Sequence, residues 1–322
     1  LPSSEVELRV MRKTSLEMVH RLARKDKRVL FIGSDLGAGV LDQMRKEMPE
    51  RWIMEGVSEQ HIVGMAAGLA MEGFIPYVNT IATFLTRRCY EQLMIDVGLH
   101  CVPVRLIGNG GGLVYAPLGP THQAIEDIGI MRMIPNMTVV APCDAREMER
   151  LMAASIDWPF PIYIRLAKGG DEVISNAQAT FEIGKAIVMR EPGEVLIVST
   201  GVMTQRALKA ATTLAEKGIS TGVLHMHTLK PIDDATLASC MKSCSLVVTL
   251  EEHRVDGGLG AAVLDAMARL QVIGQQRVMM RGLQDRFQTE YGSQDNLIHS
   301  ARLAETHLVE DIQNEVSDKV RA

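Results

Sequence analysis

Short, nearly continuous apolar runs recur along the first half of the chain, spaced so that one helix fits between most neighbours. They are Arg28-Val29-Leu30-Phe31-Ile32-Gly33, Trp52-Ile53-Met54, Ile75-Pro76-Tyr77-Val78, Val102-Pro103-Val104-Arg105-Leu106-Ile107-Gly108, Met137-Thr138-Val139-Val140-Ala141-Pro142 and Pro161-Ile162-Tyr163-Ile164-Arg165. Runs without polar alternation suit strands covered on both faces, which is the condition of a parallel sheet sandwiched by helices. The intervening segments read as helices. Leu16, Val19, Leu22 and Ala23 give helical period to residues 15–25, residues 62–72 are rich in Ala and Gly, residues 83–100 form one long segment, and residues 145–155 form another. The expected fold is α/β, with a doubly wound, mainly parallel sheet.

Around Ser175 to Pro192 the texture turns polar and mixed, and a second α/β set follows. It opens with the strand Glu194-Val195-Leu196-Ile197-Val198-Ser199-Thr200-Gly201, a helix over residues 203–217 and the strand Thr221-Gly222-Val223-Leu224-His225-Met226. Thr228 to Asp233, a helix to Lys242, the strand Leu246 to Leu250, and Glu251 to Gly260 opening another helix complete the reading. A chain of 322 residues with 47% hydrophobic content can bury two cores, and the expected domains are 1–178 and 190–322.

The net charge is −5, with Lys and Arg scattered among acids, so neither nucleic acid nor an anionic membrane is an expected partner. The five cysteines, Cys89, Cys101, Cys143, Cys240 and Cys244, are an odd number in apolar contexts and suit a reducing compartment. Cys240 and Cys244 lie one helical turn apart, with no second pair at zinc-site spacing, and read as core thiols. No run approaches the ~20 apolar residues of a membrane span, and Leu1 to Arg9 has no signal-peptide core. The expected location is cytoplasmic.

Candidate chemistry clusters where a parallel sheet presents its carboxyl edge. Glu59 falls between a strand and a small-residue helix, and its type alone fits either a helix-start acid or a functional acid. His122 ends the polar loop Gly119-Pro120-Thr121-His122-Gln123. Arg165 and Lys168, beside Gly169 and Gly170, suit an anion, although a solvated basic patch has the same spacing. His225 and His227 share a strand face but have no third metal ligand nearby, so no metal site is assigned. Neither a Walker A loop nor a nucleophile elbow is present, and Gly37-Ala38-Gly39 and Gly110-Gly111-Gly112 do not make a dinucleotide fingerprint.

The order of these pieces resembles the pyrimidine-binding and C-terminal domains of transketolase, within the thiamine-diphosphate enzymes. The resemblance rests on Met11-Arg12-Lys13-Thr14-Ser15, Gly33-Ser34-Asp35-Leu36, Gly56-Val57-Ser58-Glu59-Gln60-His61, Ala67-Gly68-Leu69-Ala70, Thr83-Phe84-Leu85 and Gly119-Pro120-Thr121-His122-Gln123. Ile134-Pro135-Asn136-Met137, Lys230-Pro231-Ile232-Asp233, Glu251-Glu252-His253 and Gly257-Gly258-Leu259-Gly260 extend it across nearly the whole sequence. It implies that Glu59 hydrogen-bonds the aminopyrimidine ring and so activates thiamine diphosphate, that Phe84 stacks on that ring, and that Asp35 and Leu36 line it. It implies that His122 contacts a substrate hydroxyl and that Lys168 holds a phosphate, with Arg12 and Arg165 as further candidates.

The family's Gly-Asp-Gly segment and following Asn, which hold magnesium and the diphosphate, are not found here. The resemblance therefore implies one half of a split transketolase, inactive alone. A separate N-terminal subunit would supply the Mg2+ ligands in an α2β2 heterotetramer acting on sugars or sugar phosphates. Leu118 stands where sugar-phosphate transketolases carry an Asp ahead of the histidine, which leaves the sugar open. Thr83-Phe84-Leu85-Thr86-Arg87 is similar to deoxyxylulose-phosphate synthase and adds Arg87 as a substrate contact. A 2-oxo acid dehydrogenase β-subunit and a degenerate assembly or regulatory subunit are the other readings.

Overall fold

The computed structural model describes residues 8–34, 36, 39–167, 171–176 and 180–321. They form two compact units, Leu1–Gly111 with Ile130–Ile183, and Gly112–Gly129 with Gly184–Ala322.

The first unit is built on strands β1 (Val29–Gly33), β2 (Trp52–Met54), β3 (Ile75–Ile81), β4 (Arg105–Asn109), β5 (Thr138–Val140) and β6 (Ile162–Leu166). Their spatial order is β5-β6-β4-β3-β1-β2, and every pair is parallel. All but the edge strand β2 are buried along their whole length, as expected of strands covered on both faces. The helix expected over 15–25 begins earlier and spans Met11–Lys25. That expected over 145–155 is Ala145–Ser155, started by Asp144, whose side chain accepts from the Glu147 amide.

Three expectations are corrected. The segment 83–100 is not one regular helix, because Phe84–Arg88 and Leu93–Leu99 wind as wide π-type turns around the short helix Tyr90–Gln92. The Cys89 thiol reaches back 3.4 Å to the Phe84 carbonyl, a span that suits the wider turn. The strand expected from Val102 begins only at Arg105, whose buried guanidinium donates to the carbonyls of Phe160, at 2.7 Å, and Trp158. Burial lowers the pKa of Arg105 to about 10.

The third correction concerns the second unit. Its strands are β7 (Ile187–Arg190), β8 (Val195–Ser199), β9 (Thr221–His225), β10 (Leu246–Arg254) and β11 (Arg277–Leu283), in the order β11-β10-β8-β9-β7. Strand β7 runs antiparallel to β9, whereas the others are parallel. Val195, Ile197, Val248 and Leu250 pack with Ala207 and Leu214 of the helix Met203–Glu216 and with Leu308 and Ile312 of the helix Glu305–Arg321.

Strand β10 continues past Leu250 to Arg254, so Glu251, Glu252 and His253 lie on a buried strand rather than in a helix-opening loop. Their polarity is absorbed locally. Glu251 accepts from the amides of Leu259 (2.6 Å) and Gly260 (2.8 Å), which begin the helix Leu259–Arg269 and favour a negative charge there. Glu252 accepts from the Leu113 amide at 2.7 Å and from Gln294 at 2.9 and 3.0 Å. His253 donates from Nδ1 to the Arg254 carbonyl (2.6 Å) and accepts at Nε2 from the Gly129 amide (3.2 Å), the bonding pattern of a neutral ring.

A methyl group on Gly258 would overlap the Glu251 carboxylate and approach His253 Nδ1 to 2.6 Å. Gly258→Ala is therefore expected to destabilise the protein by about 2–3 kcal/mol, through crowding and loss of the bonds at the helix start. Urea denaturation checks this, and an unchanged midpoint would contradict the packing.

Candidate functional site

Because the first sheet is parallel, its carboxyl ends gather along one edge. Four polar side chains on that edge are buried: Ser34, Asn79, Thr80 and Asn109. The hydroxyls of Ser34 and Thr80 lie 2.9 Å apart, and Asn79 donates to the Leu36 carbonyl at 3.2 Å. Asn109 donates to the Asn79 side chain (2.8 Å) and the Thr80 carbonyl (2.9 Å). Thr83 Oγ1 and Asn109 Oδ1 are buried without a hydrogen-bond partner among the described residues. Ser34 and Thr83 stand in motifs quoted from the sequence without a role, and Asn79, Thr80 and Asn109 are given none. The available signal was the pair Asn79-Thr80 inside an otherwise apolar strand.

Glu59 stands on the same edge. The chain leaves β2, turns through Gly56 at a φ of 67°, and enters the helix Glu59–Met71 with Glu59 as its first residue. That conformation favours glycine. Glu59 is only 2% exposed. A carboxylate with so little water needs a partner. Arg88 provides one, its Nη1 donating to Glu59 Oε2 at 2.5 Å. The same guanidinium carbon lies 4.5 Å from the centroid of the Phe84 ring, so one planar cation bridges an aromatic face and a buried acid. Arg88 itself is 42% exposed. The sequence reading passed over it, although it lies four residues beyond Phe84 in a helical segment, the spacing at which side chains meet.

Next to this group the Cys89 thiol is pushed up to about 12, by burial first and by the Glu59 charge second. Such a thiol is not a nucleophile near neutral pH.

Leu36 is half-buried, and its carbonyl is held by Asn79. Arg12 is half-buried in the first turn of the helix Met11–Lys25, outside the Glu59 group. Arg87 is exposed. Arg165 is 7% exposed, which removes the solvated-patch reading for this residue, and a methyl on Gly111 would meet its side chain at 2.6–2.9 Å. Asp35 and Lys168 lie outside the described residues. The structure thus brings Glu59 and Phe84 together through Arg88.

His122 belongs to the second unit. It is half-buried, its Nδ1 lies 2.9 Å from the Thr121 hydroxyl, and the Tyr115 ring meets it edge-on at 6.4 Å. Leu118, on the same loop, is exposed. His225 ends β9 and His227 lies beyond it, so they do not share a strand face as expected; their buried rings are 5.7 Å apart, and their Nδ1 atoms bond the hydroxyls of Thr204 (2.8 Å) and Thr228 (2.9 Å). All five cysteines are free, and among the described residues no helix is long and apolar enough to cross a membrane.

Comparison with known proteins places these features in context. The family model described as the pyrimidine binding domain of transketolase matches residues 9–170, and that of the transketolase C-terminal domain matches residues 184–308. The chain is 36% identical over 290 residues to the 6-deoxy-6-sulfo-D-fructose transketolase subunit SqwH of a Clostridium species, covering 88% of this chain and 90% of that protein. It is 34% identical over 259 residues to a subunit of the apulose-4-phosphate transketolase of Phocaeicola vulgatus, with coverages of 80% and 83%. A 1-deoxy-D-xylulose-5-phosphate synthase of a Synechococcus species is 36% identical over 271 residues, but the match spans only 42% of its length. Among solved structures, a split-gene transketolase described as an inactive β4 tetramer superposes with a TM-score of 0.85 at 31% identity, covering 95% of this chain and 97% of that one.

Two outcomes follow from the geometry of the acid. Arg88→Ala leaves Glu59 buried without its cation and is expected to cost about 1–2 kcal/mol in urea denaturation, less than for a fully buried pair because Arg88 is partly solvated. Adding Glu59→Gln to that variant restores most of the loss, and additive single and double variants would contradict the pairing. In alkylation with iodoacetamide at pH 8 read by mass spectrometry, the half-buried Cys101 is expected to react well before Cys89. Equal labelling of the two would contradict the placement of Cys89.

Proposed function

The chain belongs to the transketolase family, carrying its pyrimidine-binding and C-terminal domains, and we propose that it is the C-terminal-section subunit of a split transketolase. In this reading it moves a two-carbon ketol unit from a ketose to an aldose, together with a second chain that carries the diphosphate-binding domain. The family implies dependence on thiamine diphosphate. Support for a separate partner comes from relatives that are themselves called subunits and are matched over most of their own length. We place the Mg2+ ligands on that partner, the working assembly as α2β2, and the pair in the cytoplasm, for which the free cysteines are suited.

The observation that carries the reading is Glu59, a carboxylate removed from water at the carboxyl edge of a parallel sheet and bonded to a flat N–H donor lying over an aromatic ring. An aminopyrimidine is also flat, has a ring nitrogen that can share a proton with a buried carboxyl group, and has a face for Phe84, so these residues fit that half of the cofactor. The buried Thr83 hydroxyl without a partner adds polar capacity next to Phe84. When bound, the cofactor supplies the stabilised carbanion that ketol transfer needs. Glu59 holds a proton at the pyrimidine, where its burial strengthens that single bond. Leu36 lines the ring beside it, and Asp35 is assigned the same task. His122 meets the substrate hydroxyl, with its Nδ1 steadied by Thr121. Arg12, Arg87, Arg165 and Lys168 are assigned to substrate anions, with Arg87, exposed, the most accessible of the three described residues. Exposed Leu118 brings no charge to the His122 loop.

A second reading, formation of 1-deoxy-D-xylulose 5-phosphate, is favoured by the Thr83 to Arg87 motif and by the relatives of that name. Both readings require Glu59.

The test is co-expression with a chain carrying the Gly-Asp-Gly segment, followed by assay across ketose donors with thiamine diphosphate and Mg2+. The single chain is expected to show no transfer, the complex to show it, and Glu59→Gln to lower it by about 100-fold or more, the scale of losing a positioned acid. Full transfer by the Glu59→Gln complex would refute the assignment, and transfer by the single chain would refute the division of labour.

A further inference from the structure

Arg88 does to Glu59 and Phe84 what the bound ring is assigned to do. Its guanidinium is planar, donates one N–H to the buried carboxylate at 2.5 Å, and lies over the Phe84 ring at 4.5 Å. A flat heterocycle cannot reach the same oxygen and the same aromatic face while the guanidinium is there.

The two partners differ in their freedom. Glu59 is 2% exposed and fixed by the helix it begins, whereas Arg88 is 42% exposed and joined to the backbone by a long rotatable stem. The arginine can therefore swing into water by side-chain rotation alone. As it leaves, Glu59 takes up a proton from solvent and shares it with the ring nitrogen of the arriving pyrimidine, so the buried acid exchanges the arginine's N–H for that shared proton and is never left bare.

We propose that Arg88 is a displaceable occupant of the pyrimidine site, holding Glu59 and covering Phe84 until the cofactor ring takes its place. This rests on the assignment of Glu59 and Phe84 to the pyrimidine. It supplies what a half-site subunit needs, a buried carboxylate that stays satisfied while the chain is alone. The cost falls on affinity, since apparent binding weakens by the fraction of molecules in which the arginine is swung out.

Calorimetric titration of the full chain with thiamine as the probe separates this inference from the assignment beneath it. If Arg88 covers the site in about nine molecules of ten, Arg88→Ala binds thiamine roughly tenfold more tightly than wild type. Arg88→Lys, which keeps a cation beside Glu59 without the planar fork, falls between them and serves if the alanine variant does not fold. Equal, weaker or undetectable binding by Arg88→Ala, or by Arg88→Lys in its place, overturns the inference. Glu59→Gln reports on the assignment itself: weakened binding supports it, and binding equal to wild type removes it whatever the Arg88 variants do.

Discussion

The parallel register of β5-β6-β4-β3-β1-β2 is the constraint from which the rest of the first unit follows. Strands that run the same way need crossovers, the crossovers cover both faces, and covered faces demand the continuous apolar runs seen in β1, β3, β4 and β6. The same register collects every carboxyl end on one edge. There the backbone leaves the sheet with polar groups to satisfy, and Ser34, Asn79, Thr80 and Asn109 meet part of that demand among themselves. Its polar groups are linked across neighbouring strands, the kind of support that a site holding a ring in one orientation requires.

Three of the described buried acids, Asp144, Glu251 and Glu59, are satisfied in two contrasting ways, and the contrast sets Glu59 apart. Asp144 accepts from the amides of Glu147, Ile174 and Ser175 and from the Ser175 hydroxyl, at 2.6–2.8 Å. Glu251 accepts from two amides at the start of a helix. Backbone amides cannot leave without unfolding, so these two acids are permanent parts of the framework. Glu59 is held by one side chain that is nearly half in water. An uncompensated buried charge costs several kcal/mol, so Arg88 can leave Glu59 only as another partner takes its place. A carboxylate with a replaceable partner is suited to binding, and one clasped by amides is suited to architecture.

Much of the framework was legible because periodicity reports burial. The helix Ala145–Ser155 appears with the limits read from its apolar spacing, and the strands of the first unit lie on the apolar runs that announced them. The errors have identifiable causes. The continuation of β10 through Glu251-Glu252-His253 was hidden because three ionisable residues look like a loop until amides from Leu113, Gly129 and Leu259 reach them. The antiparallel β7 sits in a mixed, partly exposed stretch with little periodic signal. The wide turns around Tyr90 follow from packing and from a thiol reaching its fifth neighbour, neither of which composition encodes.

At the site, Glu59 and Phe84 were readable as members of a resemblance, whereas Arg88 was not, because its importance lies in what it touches. A lone arginine beside another arginine looks like a solvated surface. Only the fold shows that its plane covers Phe84 and its charge meets a buried acid. The most direct measurement is a crystal structure of the chain with its diphosphate-domain partner, thiamine diphosphate and Mg2+. In it the Glu59 carboxyl is expected within hydrogen-bonding distance of a pyrimidine ring nitrogen, the ring over Phe84, and the Arg88 guanidinium turned away. A bound cofactor whose ring lies elsewhere while Glu59 keeps its bond to Arg88 would contradict that expectation.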